Sequence, residues 1–246
     1  MLTVHQFILY LHIVLGAFAL IIFWGPVIVK KGSAKHILMG RMFNYSMLAV
    51  AVSGVVMSLM VIYDPIAIRY PSAELSPQQL ASLSTQQRQL SEFLLMLSLL
   101  VWVSVRHATL VLQVKQARQQ LKTLGHLLGI GLLTLSGARV LYIAIDKGSV
   151  LYAIFAGIGL FTAITTLYYI YKPTLKSREW VLEHMTTIIG AGIAVYTAFF
   201  AVGGRHWLMQ VLPGAWQLLP WVLPGIIGTV AINRFKKRIA KQYRIA

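Results

Sequence analysis

Seven stretches of this chain are each long and apolar enough to cross a lipid bilayer, and they constrain the fold more than any other feature. A spanning helix needs about 20 mostly apolar residues. The stretches cover residues 6–29, 37–63, 90–112, 126–145, 150–171, 181–202 and 215–232. A spanning strand would need only about 10 residues, with strict alternation of apolar and polar side chains; none of the seven alternates. Composition agrees. Of 246 residues 58% are hydrophobic and 11% charged, whereas a soluble domain carries about 25% charged residues. Such a chain cannot cover itself with a polar surface. The expected fold is all-α: a polytopic membrane helical bundle of seven transmembrane helices in one domain.

The net charge of +16 looks at first like an invitation to nucleic acid. Its distribution says otherwise. Lys30, Lys31, Lys35 and Arg41 follow the first span, Arg106, Lys115, Arg118 and Lys122 lie at or after the end of the third, and Lys172, Lys176 and Arg178 follow the fifth. Arg234, Lys236, Lys237, Arg238, Lys241 and Arg244 fill a basic tail over 233–246. These 17 cations fall on one side, against Arg69, Arg88, Lys147 and Arg205 on the other. Basic loops stay in the cytoplasm, so the N-terminus is expected outside and the C-terminus inside. The charge then orients the helices and meets anionic lipid headgroups, and no nucleic-acid partner is expected. The first span reads as a retained helix and not a cleaved leader, because residues 1–5 hold no Lys or Arg.

Local signals refine the layout. Gly25-Pro26 predicts a kink near the inner end of the first span. The one long outer loop, 64–89, contains Ser76-Pro77, a favourable helix start with Ser as cap and Pro at the first position. Leu80, Leu83, Gln87 and Leu90 then share a face, so an amphipathic outer helix is expected to run into the third span. Residues 113–123 are expected to prolong that helix on the inner side.

Chemistry points to histidine. There is no Cys, so thiolate metal sites and disulfides are excluded. Carboxylates are scarce, which disfavours proton-coupled transport. Nucleophile-elbow, phosphate-loop and His-Glu-x-x-His patterns are absent. Of seven histidines, His36, His107, His126 and His184 come from four spans at one expected depth, the inner side. His12 lies in the outer half of the first span, and His5 and His206 near the outer surface. The inner four allow three readings. They are axial ligands of haem, held between helices. Or three of them, with Glu183, hold a divalent metal that activates water. Or they are interfacial side chains of a non-catalytic accessory subunit. By depth, His107 and His12 stand out. Gly16, Gly40 and Gly129 follow His12, His36 and His126 by three or four residues, leaving gaps beside them on one helical face. Lys35, Arg41 and Arg106 flank the inner histidines and suit haem propionates, a quinone or lipid headgroups. Arg139 lies inside the fourth span; it can snorkel outward, pair with Asp146, or bind an anionic group.

Leu11-His12-Ile13-Val14-Leu15-Gly16, Lys35-His36-Ile37-Leu38-Met39-Gly40-Arg41 and Glu183-His184-Met185-Thr186-Thr187-Ile188-Ile189-Gly190 resemble an uncharacterised bacterial family of multi-span membrane proteins. That family carries histidines near helix ends and a His-x-x-x-Gly-Arg motif after the first span. The similarity extends over most of the chain and implies a bacterial inner-membrane location without implying an activity. More loosely, histidines on several spans are similar to b-type membrane cytochromes of the 561 type, with the departure that only one outer histidine looks well buried. The leading expectation is a membrane oxidoreductase with haem b on two of His36, His107, His126 and His184, exchanging electrons with a quinone or small reductant.

Overall fold

The computed structural model describes residues 1–243; Arg244, assigned above to the basic tail, lies outside the described residues. The fold is helical, and no strand occurs among the described residues. In chain order the helices are α1 (Leu2–Ile22), α2 (Trp24–Ile28), α3 (Ala34–Tyr63), α4 (Pro65–Arg69), α5 (Pro77–Val114), α6 (Leu124–Lys147), α7 (Val150–Tyr171), α8 (Glu179–Ala198), α9 (Arg205–Val211) and α10 (Leu219–Tyr243). Seven are long and apolar enough to cross a membrane: Leu2–Ile28, Ala34–Tyr63, Pro77–Val114, Leu124–Lys147, Val150–Tyr171, Glu179–Ala198 and Trp216–Gln242. Each contains most of one of the seven predicted stretches.

The local signals explain most boundaries. Pro26 has no N–H to give, and the helix breaks at Phe23, between α1 and α2. Ser76 and Gln79 form a reciprocal capping box: the Ser76 amide donates to Gln79 Oε1 at 2.9 Å, and the Gln79 amide donates to Ser76 Oγ at 3.4 Å. The outer helix and third span are therefore one 38-residue helix, α5. Asp64 caps α4 by accepting from the Ala67 amide at 3.1 Å, with Pro65 at the first position.

Two expectations need correction. α5 does not continue through residues 113–123. It stops at Val114; Lys115 takes a left-handed backbone (φ 50°) and a short 3₁₀ turn follows at Arg118–Leu121. Distant carbonyls tie this turn down: Gln116 Nε2 donates to Lys176 O and Arg118 Nη2 to Pro173 O. The sixth span, α8, ends as regular α-helix at Ala198 and passes into a π-turn, Phe199–Gly203. Residues 233–243 of the basic tail are helical, as the end of α10.

The chain divides into two compact units. One comprises Met1–Leu15, Met47–Val103 and Thr123–Tyr169; the other comprises Gly16–Ser46, Ser104–Lys122 and the chain from Ile170. The first buries Met47, Phe93, Met96, Leu133 and Ile143. Phe93 stacks on Tyr152 with ring centres 4.5 Å apart and planes 5° from parallel, an offset contact worth about 1 kcal/mol beyond its area. Gly54 lets the Ser98 side chain reach the α3 backbone; a Cβ there would collide with Ser98 Oγ. The second unit buries Phe43, Val105, Val111, Leu121 and Ala191. Here Gly192 receives the ring of Phe23, which leaves no room for a Cβ. Tyr196 joins that contact, accepting from Trp24 Nε1 at 2.6 Å and donating to Leu20 O at 2.7 Å.

Candidate functional site

The second unit contains His36, His107, Glu183 and His184 on three helices, α3, α5 and α8; hydrogen bonds tie α5 to α8, and separate ones hold His36. Two consecutive residues of α8 engage two consecutive residues of α5. His107 Nε2 lies 3.1 Å from Glu183 Oε1, and His184 Nδ1 lies 3.0 Å from Ala108 O. The chemistry fixes the ring protons. A carbonyl only accepts, so His184 Nδ1 carries hydrogen and its Nε2 holds a lone pair. The Glu183 carboxylate accepts from His107 Nε2–H. His107 is wholly buried (0% exposed) and Glu183 partly so (25%).

His36 follows the same rule from the start of α3. Its amide donates to Ser33 Oγ at 3.2 Å. Its Nδ1 donates to Pro26 O at 3.1 Å, again leaving Nε2 with a lone pair. The Pro26 carbonyl can accept because it lies in the last turn of α2, which ends at Ile28 and whose last carbonyls have no helical partner. Lys31 Nζ satisfies the same carbonyl and that of Val27, both at 2.7 Å. Burial, reinforced by the Arg238 guanidinium, holds the Lys31 ammonium below the usual lysine range.

Anion-binding capacity sits in the same unit. Arg106, next to His107 on α5, keeps its Nε buried with no partner, and Thr186 Oγ1 on α8 is likewise buried and unpartnered. A buried guanidinium N–H without an acceptor costs about 1–3 kcal/mol, so an anionic group here would be stabilised. Arg41 is exposed on α3.

The remaining candidates divide differently. His126 belongs to the first unit, where it is buried (1% exposed) near the start of α6. His12, also in the first unit, lies 2.8 Å from Ser53 Oγ through its Nδ1. Ser53 spends its own proton on Ala49 O at 2.8 Å, so His12 is the donor. His5, expected near the outer end of the first span, is 4% exposed and its Nε2 has no partner; it stands seven residues before His12, on the same helical face. His206 is exposed and accepts from Gln210 Nε2 at 3.2 Å.

Arg139 does not pair with Asp146. Its Nε donates to Glu92 Oε2 at 3.0 Å and its Nη2 to Glu92 Oε1 at 3.4 Å, while Asp146 lies 3.9 Å from Lys147. Glu92, 47 residues earlier, was not a sequence candidate.

Among the described residues no three His, Cys, Asp or Glu side chains are placed to hold a metal ion together. The expected set of His36, His107, His126 and His184 with Glu183 therefore does not converge as a metal shell. The chain matches no protein family, no curated protein and no solved structure.

Proposed function

We propose that this chain is a seven-span protein of the bacterial inner membrane, N-terminus outside, that holds haem b between His36 and His184 and serves as a membrane oxidoreductase exchanging electrons with a quinone or small reductant. The membrane half of this reading is supported by the outward face of the helices. The first span buries only 6% of its apolar window, and Phe7, Tyr10, Val14, Ile21, Leu135 and Phe161 stand exposed. Apolar surface on that scale marks contact with hydrocarbon or another chain.

One observation carries the cofactor half. His36 and His184 each donate Nδ1–H to a backbone carbonyl and keep Nε2 for a ligand. That anchoring fixes the tautomer and raises the basicity of a metal-bound imidazole. Haem would need only two nitrogen donors from the protein. It thus demands less than the divalent-metal site, for which three protein donors would have to converge. When bound, haem b supplies one-electron chemistry whose potential the protein tunes through ligands, burial and hydrogen bonds. The residues around it have distinct tasks. Pro26 and Ala108 aim the two imidazoles. His107 and Glu183 lock α5 to α8 and so hold His184 in place. Arg106 and Arg41 would offer guanidinium N–H groups to the haem propionates. Gly40 keeps a face of α3 clear beside His36, where a Cβ would have only Pro26 within 4.0 Å.

The test is the absorption spectrum of the full chain purified in mild detergent, with pyridine haemochrome quantification. A Soret band and stoichiometric haem b are expected. A colourless protein overturns the cofactor assignment, and elemental analysis of the same sample then distinguishes a non-haem zinc, copper or iron site from an accessory subunit without metal.

A further inference from the structure

We propose that this chain pairs with a second copy through α6, with Arg139 of each copy meeting Glu92 of the other. The inference rests on the proposed insertion in a bilayer and is independent of the haem.

The starting point is a charge pair that the fold leaves half covered. The Arg139 side chain is 51% exposed and that of Glu92 25%. Arg139 lies eight residues before the last residue of α6, about 12 Å along the axis. Side chains on a helix lean toward its N-terminus. Arg139 therefore leans toward the Leu124 end, away from the nearer end, and its bond to Glu92 holds it there. In hydrocarbon such a pair carries a desolvation cost and is normally covered. It also has unspent capacity. Arg139 uses Nε and one Nη2 hydrogen on Glu92, which leaves three of its five N–H donors; Tyr142 covers part of the guanidinium, 5.6 Å from the ring centre.

The surrounding face is shaped for a helix. Leu128, Leu132, Leu135, Arg139 and Tyr142 follow one another at intervals of four, three, four and three. That is the heptad spacing of a left-handed seam, the commonest packing between membrane helices. The four apolar members are between 53% and 70% exposed.

Charge decides what covers this face. The Arg139–Glu92 pair is neutral as a unit. A lipid phosphate docking on it would leave a net negative charge away from water. A second copy related by a two-fold axis brings another neutral pair, and the four charges alternate in a closed ring. The patch is self-complementary, which a two-fold interface requires.

The experiment counts copies of the full chain in lipid nanodiscs by native mass spectrometry, after carbonate extraction has established that each variant is membrane-inserted. Wild type is expected as pairs. Arg139→Glu makes both positions acidic and Glu92→Arg makes both basic; each alone is expected to raise the dissociation constant about 30-fold or more, the effect of stripping a desolvated charge of its partner. Co-expressed, the two variants are expected to recover pairs containing one copy of each. The neutral double variant Arg139→Gln/Glu92→Gln guards against misfolding: it should keep wild-type helix content and pair more weakly. Single copies of wild type, or no mixed pairs on co-expression, overturn the proposal. So does an anionic phospholipid adduct that disappears in Arg139→Gln while the copy number stays unchanged. Failure of carbonate-resistant insertion would instead remove the membrane reading beneath it.

Discussion

The starts of α3 and α8 treat their histidines one way and the C-terminal part of α5 treats its histidine another. His36 and His184 spend Nδ1 on backbone carbonyls. His107 spends Nε2 on a carboxylate. The first arrangement leaves the outward nitrogen of the ring with a lone pair; the second consumes it. Burial ranks them differently, because His107 is the most deeply buried of the three. The comparison teaches that the partner of the opposite nitrogen, more than depth, decides whether an imidazole is available to a ligand.

The largest expected effect tests that distinction directly. His36→Ala and His184→Ala should each abolish the low-spin, two-imidazole spectrum of the haem-loaded protein. His107→Ala should keep it. Optical and electron paramagnetic resonance spectra of the three variants decide the matter. If His107→Ala loses the low-spin signal while His184→Ala retains it, the assignment of the ligand pair is wrong and depth was the better guide.

A smaller effect is expected from Glu183→Leu. The buried His107 Nε2–H then lacks its acceptor, a loss of about 1–3 kcal/mol. Denaturant titration of the purified chain should show it, with the spectrum at first unchanged in position. Glu183→Gln keeps an acceptor oxygen and should recover most of the loss. A Glu183→Leu protein as stable as wild type would mean that the carboxylate is not what holds His107.

How much of this was legible beforehand follows from the range of each interaction. The seven apolar helices were readable because hydropathy is a property of contiguous residues. So was the start of α5, because Ser76, Pro77 and Gln79 act within one turn. The end of α5 was not: Gln116 and Arg118 bend the chain by reaching carbonyls 60 and 55 residues away. Arg139 shows the same limit. Its sequence neighbour Asp146 was the natural guess, and the true partner stands on another helix. For the histidines, the sequence shows their places along the helices but not how each ring is held, since each is oriented by a carbonyl, carboxylate or hydroxyl brought in by packing. The Gly25-Pro26 signal was readable as a break in the helix. Its second consequence, a freed carbonyl that aims His36, required the fold.

The smallest expected effect extends the comparison to His12 in the first unit. This ring also donates Nδ1–H, but to a hydroxyl and not a carbonyl. The Ser53 oxygen can accept because its own hydrogen is committed to Ala49 O. Ser53→Ala removes that acceptor without touching His36 or His184. His12 is partly exposed, so its N–H can turn toward another acceptor, and the loss should be about 1 kcal/mol or less, that of one ordinary hydrogen bond. The haem spectrum should not move. Ser53→Thr, which keeps the hydroxyl, should restore stability if the added methyl fits beside Gly54. A spectral change in Ser53→Ala as large as that in His36→Ala would place His12 among the ligands and end the contrast between the two units.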